Sequence, residues 1–283
     1  MKVEHFYGAE AFLERTRPAL ELNEAANSLM LGLSTVLMEH PERYKAAPCL
    51  KAVVDGQSLV LAALMTPPHN LIVYGHLGDQ SAAAGELARS LRRGSWDPPG
   101  VFGPGEAPVA VAEAWAGQAG RRYSLASRQR VYELRDVRVP APERGRLRPA
   151  TEEDLDLVTA WHYAFHRELF GRTDREQARK SAGVRVRAGD VFLWEDGRPL
   201  SVAMKTRPTR HGISVGLVYT PPELRGRGYA SACVSELSRQ LLDAGWAFCA
   251  LFADLANPIS NHIYERIGYR PVCDYEEYRF EEP

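Results

Sequence analysis

The chain has 283 residues, 45% of them hydrophobic, and 35 lysines and arginines nearly balance 36 aspartates and glutamates, for a net charge of −1 at pH 7. That length suits one or two domains with cores of their own, and the charge balance argues against a nucleic-acid partner, which would need a clear basic surplus. No segment is long and apolar enough to span a membrane, the first residues lack an apolar signal core, and Cys49, Cys233, Cys249 and Cys273 form no Cys-x-x-Cys pair; a cytoplasmic protein with reduced core thiols and no metal site is expected.

Along the chain, Ala52 to Ala62 reads as two strands joined by an Asp55-Gly56 hairpin turn. A strand at Leu71–Tyr74 follows, then Gly75-His76-Leu77-Gly78-Asp79-Gln80, a strand at Val101-Phe102, an ordinary turn at Gly103-Pro104-Gly105, and a strand at Val131–Leu134. The stretch from Val139 to Pro149 is rich in Pro, Arg and Gly and reads as a linker, dividing the chain into domains at 1–140 and 147–283 with 141–146 between them. Beyond it, a helix carries Trp161, His162, Phe165, His166 and Phe170, and Phe192 to Ala203 repeats the earlier hairpin around Asp196-Gly197. A faint half-length repeat results, in which Val101-Phe102 corresponds to Leu251-Phe252 and Val131–Leu134 to Glu277–Phe280.

Ile213, Val215, Leu217 and Tyr219 alternate as a strand, with Gly216 marking a bulge or a close backbone approach. Pro221 and Pro222 stop it. Arg225-Gly226-Arg227-Gly228-Tyr229-Ala230 then opens a helix whose apolar positions include Cys233, Leu237 and Leu241 and whose end falls near Gly245. A strand feeding a glycine-rich loop at a helix N-terminus is a device for holding phosphate, because backbone N–H groups converge there on an anion. A buried strand at Phe248–Phe252, a loop with Asp254 and Asn257, a short helix ending at Gly268 and a strand with Tyr275, Tyr278 and Phe280 complete the chain. Ser260 is placed to cap the short helix.

This arrangement resembles the GNAT superfamily of acetyl-CoA-dependent N-acetyltransferases, over residues 146–283. The family pattern Arg/Gln-x-x-Gly-x-Gly/Ala is matched by Arg225, Gly228 and Ala230, and its second conserved stretch by Asn257 through Tyr264 to Gly268-Tyr269. The expected fold is therefore α/β (mixed α+β): two GNAT-like domains, each a twisted, mostly antiparallel sheet flanked by helices, with a splayed strand pair in the second copy. The resemblance implies that Val218, Tyr219 and Thr220 pair with the pantetheine arm, a backbone N–H near Val218 facing the thioester carbonyl. It places the pyrophosphate on Gly226, Arg227, Gly228, Tyr229, Ala230 and Ser231, with charge from Arg225 and Arg227. Asn257 would hold the pantetheine, and Tyr264 would protonate the departing thiolate. The first copy has no such loop. Its Asp79 would repel a pyrophosphate, which makes it structural or substrate-shaping.

The strand before the loop has no carboxylate to serve as general base. Asp254, His162, His166, Glu276 and Glu277 are the alternatives, with Asp254 taken as the catalytic partner of Tyr264. His162 and His166 share a helix face but lack the intervening glutamate of a zinc site. The expected activity is direct acetyl transfer to a primary amine of a small-molecule or amino-acid-like acceptor. A protein N-terminus or lysine, or a non-catalytic acyl-CoA sensor, are the other readings. Nothing in the sequence bears on the oligomeric state.

Overall fold

The computed structural model describes residues 1–44, 46–138, 144–171 and 174–281, with the side chain of Phe170 outside them. The first half runs β1 (Lys2–Phe6), α1 (Ala9–Leu20), α2 (Ser28–Glu39), β2 (Cys49–Asp55), β3 (Ser58–Met65), β4 (Leu71–Gly75), α3 (Gln80–Arg93), β5 (Gly100–Pro104), α4 (Ala107–Ala119) and β6 (Tyr123–Leu134). The second runs β7 (Arg146–Pro149), α5 (Leu155–Phe170), α6 (Arg175–Arg187), β8 (Val191–Glu195), β9 (Pro199–Thr206), β10 (Gly212–Tyr219), α7 (Tyr229–Asp243), β11 (Phe248–Asp254), α8 (Pro258–Ile267) and β12 (Arg270–Phe280). The two halves match element for element. The stretches paired by sequence fall on corresponding elements: the two Asp-Gly turns join β2 to β3 and β8 to β9, Val101-Phe102 and Leu251-Phe252 lie in β5 and β11, and the last pair lies in β6 and β12. Of the linker expected over 141–146, residues 141–143 lie outside the described residues, and Arg146 already opens β7.

All twelve strands form one sheet, in the order β1-β2-β3-β4-β5-β12-β6-β11-β10-β9-β8-β7. Only β4–β5 and β10–β11 pair in parallel, the pairs joined through α3 and α7 as a parallel connection requires. The halves exchange their last strands. β12, from the second half, pairs with β5 of the first, and β6, from the first, pairs with β11 of the second. β6 and β12 also pair with each other, antiparallel, from Arg270↔Glu133 to Phe280↔Tyr123. The sheet of the second half thus contains a strand of the first.

Helices cover both faces. In the second half Cys233, Leu237 and Leu241 of α7 pack with Ile213, Val215, Leu251 and Tyr264 in one core, the helical spacing turning one stripe inward. On the opposite face Val158 and Trp161 of α5 and Ala182 and Val186 of α6 pack with Leu217 and Tyr219. Gly245 follows α7 with φ +102 and donates its N–H to the Leu242 carbonyl at 3.0 Å, close to the expected cap. One local expectation changes: Gly103 and Pro104 are the end of β5 rather than part of a turn. A Cβ on Gly103 would collide with the Val73 carbonyl of β4, so β4 and β5 approach closely just past their last registered pair, Ile72↔Phe102.

Candidate functional site

β10 and β11 part company after three residue pairs. Gly212↔Phe248, Ile213↔Cys249 and Ser214↔Ala250 are in register, and beyond Ser214 the facing edges are unpaired. On its other side β10 loses register with β9 between Gly216 and Tyr219, where Leu217 takes φ +48. This is the bulge that Gly216 signals, and it turns the strand over. Val215 points to the α7 core and Leu217 to the α5 core. Leu217 and Val218 have no register partner on either neighbouring strand, so their amides are available to a ligand. Tyr219 and Thr220 are more committed. The Tyr219 carbonyl accepts from Ser201 Oγ at 3.1 Å and the Thr220 carbonyl from Arg225 Nε at 2.9 Å. Of the three residues expected to pair with pantetheine, Val218 has neither a register partner nor a side-chain hydrogen bond to its carbonyl among the described residues.

The glycine loop turns on two left-handed residues, Gly226 at φ +76 and Gly228 at φ +81, and a Cβ at either would meet open space. The glycines are required by conformation, since L side chains rarely adopt this region, and the space above them is clear. No backbone N–H from Gly226 to Ser231 donates to an acceptor among the described residues. Six consecutive donors at the positive end of α7 form an anion cradle. The equivalent helix in the first half is closed: the Asp79 carboxylate accepts from Ala82 N–H at 3.0 Å and caps α3. One copy is open to an anion and the other carries its own.

The arginines divide. Arg225, expected to supply charge to the loop, bonds both Glu168 oxygens at 2.8 Å through its guanidinium and lies 5.6 Å from the Tyr219 ring centre. The ion pair is about half exposed on both sides and contributes at most ~1 kcal/mol; its clearer effect is to tie the loop to α5. Arg227 is exposed and has no partner among the described residues, leaving it to meet a phosphate. Asn257 also has a structural duty. Its Oδ1 accepts from Ser260 N–H at 3.2 Å and caps α8, so the cap expected of Ser260 belongs to Asn257. Only the Asn257 amide NH2 remains for a pantetheine carbonyl.

Tyr264 is 8% exposed, its ring beside Tyr132 and Tyr269 at 6.3 and 6.0 Å. It shares its core cluster with Val215, Val218 and Tyr229, which brings the expected proton donor to the same face as the loop and the bulge. Its hydroxyl has no hydrogen-bond partner among the described residues and is not sealed in. Burial pushes its pKa up to about 12, so the proton stays in place at every physiological pH. Asp254 ends β11, and its Oδ1 accepts from Ala256 N–H at 2.8 Å, closing the turn into α8. Glu276 is held by Arg128 and Tyr278, and Glu277 by Asn70 and Ser127, which removes both as bases.

The histidines lie on the other side of the parting. His162 and His166 stack at 4.4 Å on α5, and His69, from the turn between β3 and β4, acts on His166 across the junction of the halves. Burial, then His166 and Arg185, brings His162 down to about 4; burial and His69 lower His166, and burial lowers His69. All three are neutral at pH 7. Because the unfolded chain protonates them near ~6.5, their contribution to stability is complete above that pH and is lost as pH falls toward 4. Thermal melts should therefore show a drop of about 2–4 °C between pH 7 and pH 5, equivalent to ~1–2 kcal/mol after solvent screening. His162→Gln should flatten that profile; an unaltered slope would remove His162 from the cluster.

Residues 200–280, from β9 to the end of β12, match the family model described as FR47-like protein. No curated protein matches the chain by sequence. Among solved structures, a Drosophila protein superposes with a TM-score of 0.71 at 12% identity, covering 99% of this chain and 98% of that one. A GCN5-related N-acetyltransferase from Sphaerobacter thermophilus gives 0.62 at 17% identity, over 98% of this chain and 94% of that one. A tandem GNAT protein from the clavulanic acid biosynthesis pathway gives 0.59 at 14%, over 100% and 99%. The fold is that of the GNAT acetyltransferases, in tandem. In this chain the bulge, the open loop and Tyr264 all belong to the second half, and the first contributes β6 and the His69 turn. Among the described residues no helix is long and apolar enough to cross a membrane, and no cluster of His, Cys, Asp and Glu is arranged to hold a metal.

Proposed function

We propose that the second copy is an acetyl-CoA-dependent N-acetyltransferase acting on a small primary amine. The observation that carries this reading is the contrast within one chain: the second copy has a bulged β10 beside six helix-terminal N–H groups with no acceptor among the described residues, while the first has a regularly paired β4 and a self-capped helix. The pyrophosphate lies on Gly226 to Ser231 with Arg227 nearby. The pantetheine lies along the free edge of β10, reached by the Asn257 amide. The thioester carbonyl takes the Val218 N–H; one such donor is worth about 3 kcal/mol to the transition state.

The amine nitrogen attacks the thioester carbon, the C–S bond breaks, and the sulfur takes the Tyr264 proton. Cys233 and Cys249, in the same core, are both pushed up to about 12 by burial. A thiolate released beside the Tyr264 ring loses hydration in the same way, so donor and acceptor are matched. The proton leaving the amine goes to the histidine side, where His166 is neutral and faces the junction; Asp254 is the alternative base, on the side of the sheet where its carboxylate closes a turn. Incubation with acetyl-CoA and a panel of amines, read as release of free thiol, tests the reading. Tight acetyl-CoA binding with no acceptor across the panel would favour a non-catalytic sensor instead.

A further inference from the structure

A partly buried cation without a counter-ion among the described residues stands at the junction of the halves. Arg207 follows β9, directly after Thr206, which pairs with Ser214, the last residue of β10 still bonded to β11. Arg207 therefore stands at the closed end of the parting, on the opposite half's doorstep. Its Nε is enclosed, with no hydrogen-bond partner. Its two Nη groups are not enclosed and donate to nothing among the described residues. The charges that act on it are those of Arg185, which repels it, and the Tyr44 and Tyr275 hydroxyls; no carboxylate is among them. Burial first, then Arg185, brings its pKa down to about 10. Other cations in the protein are supplied with partners: Arg148 has Asp154 and Glu195, Arg185 has Asp190 at 3.1 Å, and the buried Lys51 has His5 and Ser90 at 2.7 and 3.1 Å.

The backbone makes room for this arrangement at a cost. Arg207 is held at φ +46, in the left-handed region that a non-glycine residue normally avoids. Opposite it, α2 carries Gly32, where a Cβ would come within 2.5 Å of the Arg207 Cβ and 2.9 Å of its carbonyl oxygen. A helix-interior glycine is unfavourable by itself, so α2 gives up propensity to let Arg207 in. A strained guanidinium with its Nε enclosed and unpartnered and its Nη donors open is improved by an anion that those donors can reach. His162 and His166 are its neighbours through Arg185, on the face where the amine is expected.

We infer that the acceptor amine also carries a carboxylate, and that Arg207 receives that carboxylate in the fork geometry guanidinium groups offer. The inference rests on the acetyltransferase reading and deepens it, naming the acceptor class as amino acids. The test compares glycine, β-alanine, 4-aminobutyrate and diglycine with their carboxamides as acceptors, using wild type, Arg207→Met and Arg207→Lys, with acetyl-CoA affinity measured separately by calorimetry. At least one acid should be preferred over its amide by about 10- to 100-fold in kcat/KM. Arg207→Met should abolish that preference through acceptor KM while leaving acetyl-CoA affinity unchanged, and Arg207→Lys should restore part of it. Because the wild-type charge is unpaired, the melting temperature of Arg207→Met should not fall. Acids and amides used equally, or a preference that survives Arg207→Met, would overturn the inference while leaving the acetyltransferase reading intact. A melting temperature lowered by Arg207→Met would show a structural role and overturn it as well. Failure of wild type to bind acetyl-CoA would remove both.

Discussion

Gly228→Asp should abolish acetyl-CoA binding, lowering affinity by at least about 100-fold, or ~3 kcal/mol. Two effects add. The residue is held at φ +81, where a side chain costs about 1–2 kcal/mol. The larger effect is electrostatic: a carboxylate would sit on the six free N–H groups and repel the pyrophosphate. The protein already contains the outcome of such a change, since Asp79 caps α3 in the first copy and leaves no open cradle. Gly228→Ala separates the two effects, introducing the strain without the charge, and should lose only about 10-fold. Calorimetry with acetyl-CoA is the measurement, and an affinity equal to wild type in Gly228→Asp would sink the assignment of the loop.

Tyr264→Phe should leave acetyl-CoA affinity within about twofold and lower kcat by about 100-fold or more, the usual range for losing a general acid. The melting temperature should hardly move. The Tyr264 hydroxyl has no hydrogen-bond partner among the described residues, so its removal strands no buried donor or acceptor there, and the ring still packs against Tyr132 and Tyr269. This separation of rate from stability identifies a group that acts on the reaction. A variant with full turnover would exclude Tyr264 as the acid, and one that melts early would show that the hydroxyl supports the core.

The local elements around the loop were legible because their signals are local. Alternation marks β10, Gly216 marks its bulge, and the paired glycines mark an exposed turn at the head of α7. The repeat was legible at the two Asp-Gly turns for the same reason. What the residues do to one another across space was not. Arg225 lies next to the glycines in sequence, yet its charge is taken by Glu168, 57 positions away, and nothing in either local pattern announces the pair. Asn257 has the residue type for a ligand contact and for a helix cap, and the cap takes its oxygen. Arg207 reads as one more loop arginine, because the absence of a counter-ion is a property of everything packed around it. The exchange of β6 and β12 was hidden most completely. Both strands carry similar patterns, and pairing partners in a sheet are decided by packing and register rather than by composition.

That exchange bears on how the two copies could have diverged. In the first half Asp79 caps α3, but β6 is hydrogen-bonded along β11 from Cys249↔Leu134 to Asp254↔Gln129. Leu251, Ala253 and Asp254, which lead into the Asn257 loop and Tyr264, are aligned by a strand encoded in the other half of the gene. Deleting the first half would therefore strip a wall from the working site and expose a raw sheet edge on both β11 and β12. A duplicate usually becomes dispensable once its activity is gone. Here the first half is bound to the second by ten residue pairs of its own β6 with β12, so a change that bends β6 is felt in the second half as well.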